Sequence, residues 1–294
     1  MVKGEKKMSN YVHTSSHKEK IRAEWVNSIK QFFPDKDDLT LVDLPSEEIE
    51  DLKLFSDEGL IKLEQEGDAE VFNVSKGKIF CFEMSGSKCA QLTSKLCNAV
   101  VLPEEIGKYI QNNQFSLLEN GSVGFSMFPL DICNLDFDKN ISKNGIPINV
   151  TLENIVKIQK NFQKDFLLFL TFPQCENEDK RDFKLMLKSG IKANLEKSGN
   201  ERFIEMFSDK YSRIENMNYQ SLVVVGICKQ LAKISYENNF NIEHNQPFTY
   251  GENGRKKMVS LIVKFTYSDN PDYLENALSS LNEVNELHDN GAVD

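Results

Sequence analysis

The stretch of chain from residue 123 to residue 172 constrains the fold more than any other. An apolar strand pattern ends at Asp136, a polar loop follows, helical periodicity runs over residues 151–162, and residues 165–172 are almost wholly apolar. Two buried strands joined by a helix are typical of a parallel sheet, in which the helix carries the chain back to start the next strand. Open α/β sheets bind ligands beyond the carboxyl ends of their strands. Asp136 therefore stands where a ligand or a reaction would be expected.

The rest of the chain repeats this alternation of strand and helix. We predict strands at residues 39–44, 78–83 and 99–102, and helices at residues 17–33, 85–96 and 219–238. Ser46 is a plausible N-cap for a helix that follows the first of these strands. Asn253-Gly254 lies between two late strand patterns and is typical of a hairpin turn. The order predicts one mostly parallel sheet with helices on both faces, ending in an antiparallel pair.

Length and composition allow one sizeable core with short appendages. The 294 residues are 40% hydrophobic and carry a formal charge of −10. We divide them into an N-terminal tail and helix (1–38), an α/β domain (39–268) and an acidic C-terminal tail (269–294). No apolar run approaches the roughly 20 residues of a membrane helix, and the lysine-rich N-terminus is unlike a secretory signal. These features predict a cytoplasmic protein without membrane contact.

The cysteines and histidines give no sign of a metal site. Six cysteines are present, none in a Cys-x-x-Cys pair and none at zinc-ligand spacing from a histidine. Several lie inside apolar runs, which favours reduced, buried thiols. We predict no bound metal.

The order of elements over about residues 39–267 resembles the class I S-adenosylmethionine-dependent methyltransferases. The final hairpin is similar to the antiparallel insertion that ends the seven-stranded sheet of that family. Asn134-Leu135-Asp136-Phe137 is similar to the motif at the end of the family's fourth strand, and to that of tRNA guanine dimethyltransferases, although it lacks the proline. The resemblance implies a Rossmann-like three-layer sandwich with a mostly parallel seven-stranded sheet and a C-terminal antiparallel hairpin.

The resemblance also implies how a substrate would be handled. Asp136 would orient a target amine or accept its proton, and Phe137 would stack on a base. The structural alternative is that Asp136 is an ordinary loop or capping carboxylate after a strand. Asp131 is five residues earlier and faces the opposite side of the strand, so we expect it to be structural.

Four further residues correspond to cofactor-binding positions of the family. Asp43 matches the acid at the end of the first strand, Glu83 the acid that holds the ribose hydroxyls, and Glu104 loosely the acid near the adenine. Ser46 lies in the turn that would hold the methionine part of S-adenosylmethionine. That turn departs from the family, because Pro45, Ser46 and Glu47 replace glycines that allow close backbone approach.

Two surfaces could bind partners. Lys180, Arg181, Lys184, Arg255 and Lys256 could follow the phosphates of a nucleic acid, although solvated helix and hairpin faces explain them as well. The acidic tail could bind a basic protein partner.

Two hypotheses about function follow. The first is S-adenosylmethionine-dependent methylation of a nucleic acid or other macromolecule. The second, motivated by the missing glycines, is a catalytically inactive Rossmann-like binding or scaffold subunit of a multi-protein assembly.

Overall fold

The structure is a computed structural model that describes residues 16–36, 38–67, 70–119, 127–137, 148–174, 189, 219–244, 248–250, 257–272 and 276. Its helices are α1 (Ser16–Phe32), α2 (Glu50–Asp57), α3 (Gly86–Lys95), α4 (Ile106–Glu119), α5 (Ile148–Lys160) and α6 (Tyr219–Glu237). Its strands are β1 (Thr40–Asp43), β2 (Lys62–Gln65), β3 (Phe72–Lys76), β4 (Lys78–Phe82), β5 (Leu96–Cys97), β6 (Val100–Leu102), β7 (Ile132–Asp136), β8 (Phe166–Gln174), β9 (Phe240–His244), β10 (Phe248–Tyr250) and β11 (Lys257–Tyr267).

The main sheet is mostly parallel. Strands β6, β4, β1, β7 and β8 lie in this order and run parallel, and β11 then pairs antiparallel with β8. Strands β9 and β10 pair with successive parts of the other edge of β11. This mixed α/β architecture is compatible with a Rossmann-like fold and confirms the predicted class. The predicted Asn253-Gly254 turn lies outside the described residues, so the terminal hairpin remains a prediction.

Both faces of the main sheet are buried, as expected of strands joined by helical crossovers. Side chains alternate along each strand, so that in β1 Val42 packs into one apolar cluster and Leu41 into the other. The Val42 cluster includes side chains of α4, α5 and α6. The Leu41 cluster includes side chains of α1, α2 and α3. The near-continuous apolar sequence of β8 follows from this burial on both sides.

Helix α1 packs into the Leu41 cluster through an apolar stripe. Ile21, Trp25 and Ile29 recur every fourth residue and are buried, as the helical periodicity predicts. The Trp25 ring stacks on Phe169 of β8 with a centroid distance of 5.3 Å and an interplanar angle of 9°. The N-terminal helix therefore shares its core with the central strands.

A second, three-stranded sheet was not predicted from the sequence. Its order is β2-β3-β5, with β2 and β3 antiparallel and β3 and β5 parallel. Strand β2 is largely exposed, and β5 has only two residues. Neither strand therefore carries the apolar alternation from which a strand is predicted.

The prediction of Ser46 as a helix N-cap is wrong. Helix α2 begins at Glu50, and its N-cap is Ile49, which has a φ of 51° and no side-chain capping bond. Left-handed φ values are unfavourable for β-branched residues. The Ile49 side chain is buried in the Leu41 cluster, so packing favours a conformation that local propensity opposes.

The buried cysteines of the described part, Cys81, Cys89, Cys133 and Cys228, form no disulfide, as predicted. Burial raises the pKa of the Cys81 and Cys133 thiols, which therefore stay protonated at neutral pH. Among the described residues, no helix is long and apolar enough to cross a membrane.

Trp25→Ala should lower the free energy of unfolding by about 3–5 kcal/mol, because it leaves a cavity beside Phe169. Trp25→Phe should cost much less. It keeps an aromatic ring in place and removes an indole Nε1–H that has no hydrogen-bond partner among the described residues. Urea denaturation followed by circular dichroism measures both, because Trp25 is the single tryptophan and fluorescence is lost with it. Equal destabilisation by the two variants would contradict the stacking of Trp25 on Phe169.

Candidate functional site

Parallel pairing brings polar side chains together at the carboxyl ends of β1 and β7. Asp43 lies directly opposite Asn134, whose Nδ2 donates a hydrogen bond of 2.8 Å to Asp43 Oδ1. Both residues are fully buried. Asp136 is two residues further along β7 and so lies on the same face as Asn134. Two of the predicted site residues, Asp43 and Asp136, thus share one edge of the sheet.

Helix α1 contributes two cations to this edge. Lys18 Nζ lies 3.0 Å from Asp136 Oδ2, and Arg22 Nε lies 2.5 Å from Asp51 Oδ1 of α2. Four residues separate Lys18 from Arg22, so both project from the same side of the helix. About a fifth of each side chain in the Lys18–Asp136 pair is exposed, whereas the Arg22–Asp51 pair is buried.

Neither cation was predicted as a site residue. The sequence feature that could have indicated them is their position beside the apolar stripe of α1. Arg22 directly follows Ile21, and Lys18 is one helical turn before Arg22. A cation that borders an apolar stripe is carried to the rim of the core when the helix packs. No local pattern indicates which carboxylates it meets there.

Burial and repulsion shape the protonation of this cluster. Burial raises the pKa of Asp43 well above its ordinary value, and repulsion by Asp51 and Asp136 raises it further, against the hydrogen bond from Asn134. Burial also raises the pKa of Asp136, although attraction to Lys18 opposes it. For Lys18, burial lowers the pKa, but the combined attraction of Asp136 and Asp51 outweighs it, so the pKa lies above its usual value.

Two buried oxygens of the cluster lack a hydrogen-bond donor among the described residues. They are Asp43 Oδ2 and Asn134 Oδ1, the second acceptors of the two side chains that already share one hydrogen bond. A buried acceptor without a donor costs about 1–3 kcal/mol. Two such atoms on neighbouring side chains therefore call for a physical explanation.

Glu83 and Glu104 follow the neighbouring strands β4 and β6. Both are half-buried, and the backbone N–H of Glu83 donates to the Leu102 carbonyl at 3.1 Å. One carboxylate oxygen of Glu83 accepts the backbone N–H of Ser85 at 2.6 Å, immediately before α3. Glu83 thus stabilises the start of a helix, which is a structural use of a residue predicted to hold a ribose.

The turn after β1 departs from a cofactor-binding turn. Pro45 is buried, and the carbonyl of Ser46 accepts the N–H of Ile49 at 3.1 Å. Proline has no N–H to offer a ligand, and a fully buried Asp43 side chain makes no contact with a ligand in this conformation. The residues at the end of β1 therefore do not fit the methionine part of S-adenosylmethionine.

Phe137 and Asp131 have structural contacts. The Phe137 N–H donates to the Thr171 carbonyl at 2.9 Å, and its ring is half-buried against the Val42 cluster. Asp131 directly precedes the first residue of β7. Its carboxylate accepts the Thr40 N–H at 2.7 Å and pairs with Lys36. The structural role predicted for Asp131 is confirmed.

The predicted nucleic-acid surface lies outside the described residues. This applies to Lys180, Arg181, Lys184, Arg255 and Lys256. Most of the acidic tail is likewise outside them, so both partner surfaces remain predictions. Within the described part, no group of three or more metal-binding side chains is present.

A groove of about 440 Å³ lies between α1 and α2. Arg22 lines it, together with side chains of both signs such as Lys53 and Asp57, whereas Asp43 and Asp136 do not. The groove is therefore separate from the buried carboxylates at the sheet edge.

Comparison with known families adds one finding. A model of the PP_RS20740-like family matches residues 16–290. The chain belongs to the PP_RS20740-like family. The matched region begins at the first residue of α1, so it includes the helix that carries Lys18 and Arg22. No curated protein matches the chain.

Breaking the buried Arg22–Asp51 pair should be far more costly than breaking an exposed pair between α1 and the C-cap residue of α2. Arg22→Met should lower the free energy of unfolding by about 3–5 kcal/mol, because it leaves Asp51 as an uncompensated buried charge. Lys30 Nζ also lies 2.5 Å from a carboxylate oxygen, that of Glu58, but both side chains are more than 40% exposed. Lys30→Met should therefore cost only about 0–1 kcal/mol.

Urea denaturation at pH 7 compares the two variants, and the double variant Arg22→Met with Asp51→Leu completes the set. Removing both charges should recover most of the loss, because no buried charge is then left alone. Similar costs for Arg22→Met and Lys30→Met would show that burial does not govern the first pair.

Proposed function

We propose that this protein is a methyltransferase-like binding or scaffold subunit with a Rossmann-like three-layer sandwich fold, in which helix α1 fills the crevice at the carboxyl ends of β1 and β7. The observation that carries the proposal is the pair of contacts from Lys18 to Asp136 and from Arg22 to Asp51. These contacts engage, within the chain itself, carboxylates that a ligand would otherwise have to reach.

The arrangement of the last strands supports the relationship to methyltransferases. Strand β11 is antiparallel and lies between β8 on one side and β9 and β10 on the other. An antiparallel last strand inserted into a parallel sheet is the feature that the class I methyltransferases share. Helices contribute to the apolar clusters on both faces of the sheet, in keeping with a three-layer sandwich.

The internal use of the site residues supports a non-catalytic role. Asp43 is buried against Asn134, Asp136 is paired with Lys18, and Glu83 accepts a backbone N–H at the start of α3. A catalytic or cofactor-binding carboxylate must instead be able to reach its ligand. A fold can keep its sheet while its site no longer supports chemistry.

Charge indicates the kind of partner that a scaffold of this composition would bind. The formal charge is −10, and the acidic tail after residue 268 contains no lysine or arginine. Complementary charge guides association and selects partners. We therefore propose a basic protein as the partner.

The second candidate function is methylation that depends on S-adenosylmethionine. It is favoured by Glu83 and Glu104, which remain half-exposed beyond two neighbouring strands, where the family holds the nucleoside part of the cofactor. The misfit at Asp43 and Pro45, where the methionine part would have to bind, weighs against it.

Isothermal titration calorimetry with S-adenosylmethionine separates the two candidates. The scaffold proposal expects no binding heat at millimolar ligand, because the end of β1 is closed to the methionine part. Saturable one-to-one binding that is lost in Glu83→Gln but kept in Glu64→Gln would support the enzyme instead. Glu64 is a suitable control because it is an exposed glutamate on β2, in the smaller sheet.

Co-purification from the native host provides the second measurement. A scaffold should retain a stoichiometric basic partner in Asp136→Asn, because the substitution keeps the side chain's shape and α1 remains anchored by Trp25. Loss of cellular function in Asp136→Asn while the partner stays bound would contradict the scaffold role.

A further inference from the structure

The single hydrogen bond between Asp43 and Asn134 leaves one acceptor oxygen on each side chain without a donor among the described residues. The two side chains face each other from neighbouring parallel strands, and Asn134 Nδ2 donates to Asp43 Oδ1 at 2.8 Å. The remaining oxygens, Asp43 Oδ2 and Asn134 Oδ1, are both buried and both acceptors when the carboxyl group is ionised. Two buried acceptors on side chains that share a hydrogen bond are costly unless a hydrogen is supplied to them.

We propose that Asp43 and Asn134 form a proton-binding site, in which a proton on Asp43 Oδ2 is donated to Asn134 Oδ1 and closes a second hydrogen bond between the two side chains. A neutral carboxyl group and a primary amide then form a ring, each donating one hydrogen bond and accepting one. Asp43 Oδ2 and Asn134 Oδ1 then both take part in a hydrogen bond, and no further residue is needed. The inference does not depend on the function proposed above.

The surroundings of Asp43 favour the neutral form. Asp51 of α2 and Asp136 of β7 repel a negative charge at this position, and burial disfavours it further. Cys81 of β4 lies directly opposite Asp43 in the parallel register, and its thiol is neutral because burial raises its pKa. None of these side chains supplies a positive charge to Asp43.

The cations of α1 do not replace the proton. Lys18 is engaged by Asp136, and Arg22 by Asp51, which lies on a different element from Asp43. The backbone N–H of Leu44 and the Asn134 amide favour the ionised form, but burial and the two neighbouring acids outweigh them.

The proton makes stability depend on pH. The pKa of Asp43 is raised in the folded protein, so this group's contribution to stability is full below the pKa of the unfolded chain, near 4, and is lost as pH rises through the folded pKa. Within that window, each pH unit should increase the unfolding equilibrium constant by about tenfold. Above the pKa of Asp43 in the folded protein, stability no longer changes with pH through this group.

Asp43→Asn tests the proposal, because an asparagine supplies permanently the hydrogen that the proton supplies in Asp43. The variant should fold and should be at least as stable as the wild-type protein at pH 7. Its unfolding equilibrium constant should lack the tenfold rise per pH unit that Asp43 causes in the wild-type protein. Urea denaturation between pH 4 and pH 9 measures the slope. Asp131→Asn, at the other end of β7, is the control and should leave that rise unchanged.

Two results would overturn the proposal. One is an Asp43→Asn variant that is as unstable as Asp43→Leu, since the site would then require a charged carboxylate and an unseen donor. The other is an unchanged pH slope in Asp43→Asn.

Infrared spectroscopy of the wild-type protein tests the same proton without a substitution at Asp43. A protonated carboxyl band at pH 7 that shifts in Asn134→Ala, which removes only the partner, supports the shared proton. Absence of such a band from the wild-type spectrum refutes it.

Discussion

Three carboxylates crowd the carboxyl ends of β1 and β7, and their mutual repulsion has to be balanced before the surrounding elements can pack. Asp43, Asp51 and Asp136 come from β1, α2 and β7. Asp51 and Asp136 repel a charge on Asp43, and Asp51 repels a charge on Asp136. Carboxylates with little water around them are strongly destabilising unless they are paired or neutralised. The arrangement of α1 and the hydrogen bonding of Asn134 both follow from this constraint.

Charge balance explains why α1 belongs to the core. Its apolar stripe, centred on Trp25, packs on β8, while Lys18 and Arg22 reach two of the three acids. Hydrophobic burial supplies most of the stabilisation of such a helix, and the ion pairs connect it to Asp136 of β7 and Asp51 of α2. The third acid, Asp43, is paired with no cation of the described residues, and the proposed proton shared with Asn134 neutralises it.

The same balance bears on function. Asp136 and Asp51 are paired with cations of the same chain and so have less attraction for a charged ligand, and Asp43 itself is fully buried. The sheet is compatible with a Rossmann-like fold, and the acids at its carboxyl end make contacts within the chain. These internal contacts are what favours the proposed binding or scaffold role.

Sequence patterns were sufficient for the main strands and helices. The strands β1, β4, β6 and β8 and the helices α1, α3, α5 and α6 all lie close to their predicted bounds, because each buries a regular apolar face. Strands β2 and β5 were missed because an exposed strand and a two-residue strand leave no such pattern. The start of α2 was misplaced because burial of Ile49, a nonlocal effect, prevailed over the capping preference of Ser46.

The sequence by itself determined the α/β class, the strand ends near Asp43 and Asp136, and the absence of glycines after β1, since all of these depend on local composition and periodicity. Only the tertiary structure decided which groups those carboxylates meet. Arg22 and Asp51 are 29 residues apart in the chain, Lys18 and Asp136 are 118 apart, and Asp43 and Asn134 are 91 apart. Contacts over such separations arise from packing, and no local pattern encodes them. Packing therefore placed the two carboxylates that resemble ligand-binding residues, Asp43 and Asp136, in one cluster of acids and cations.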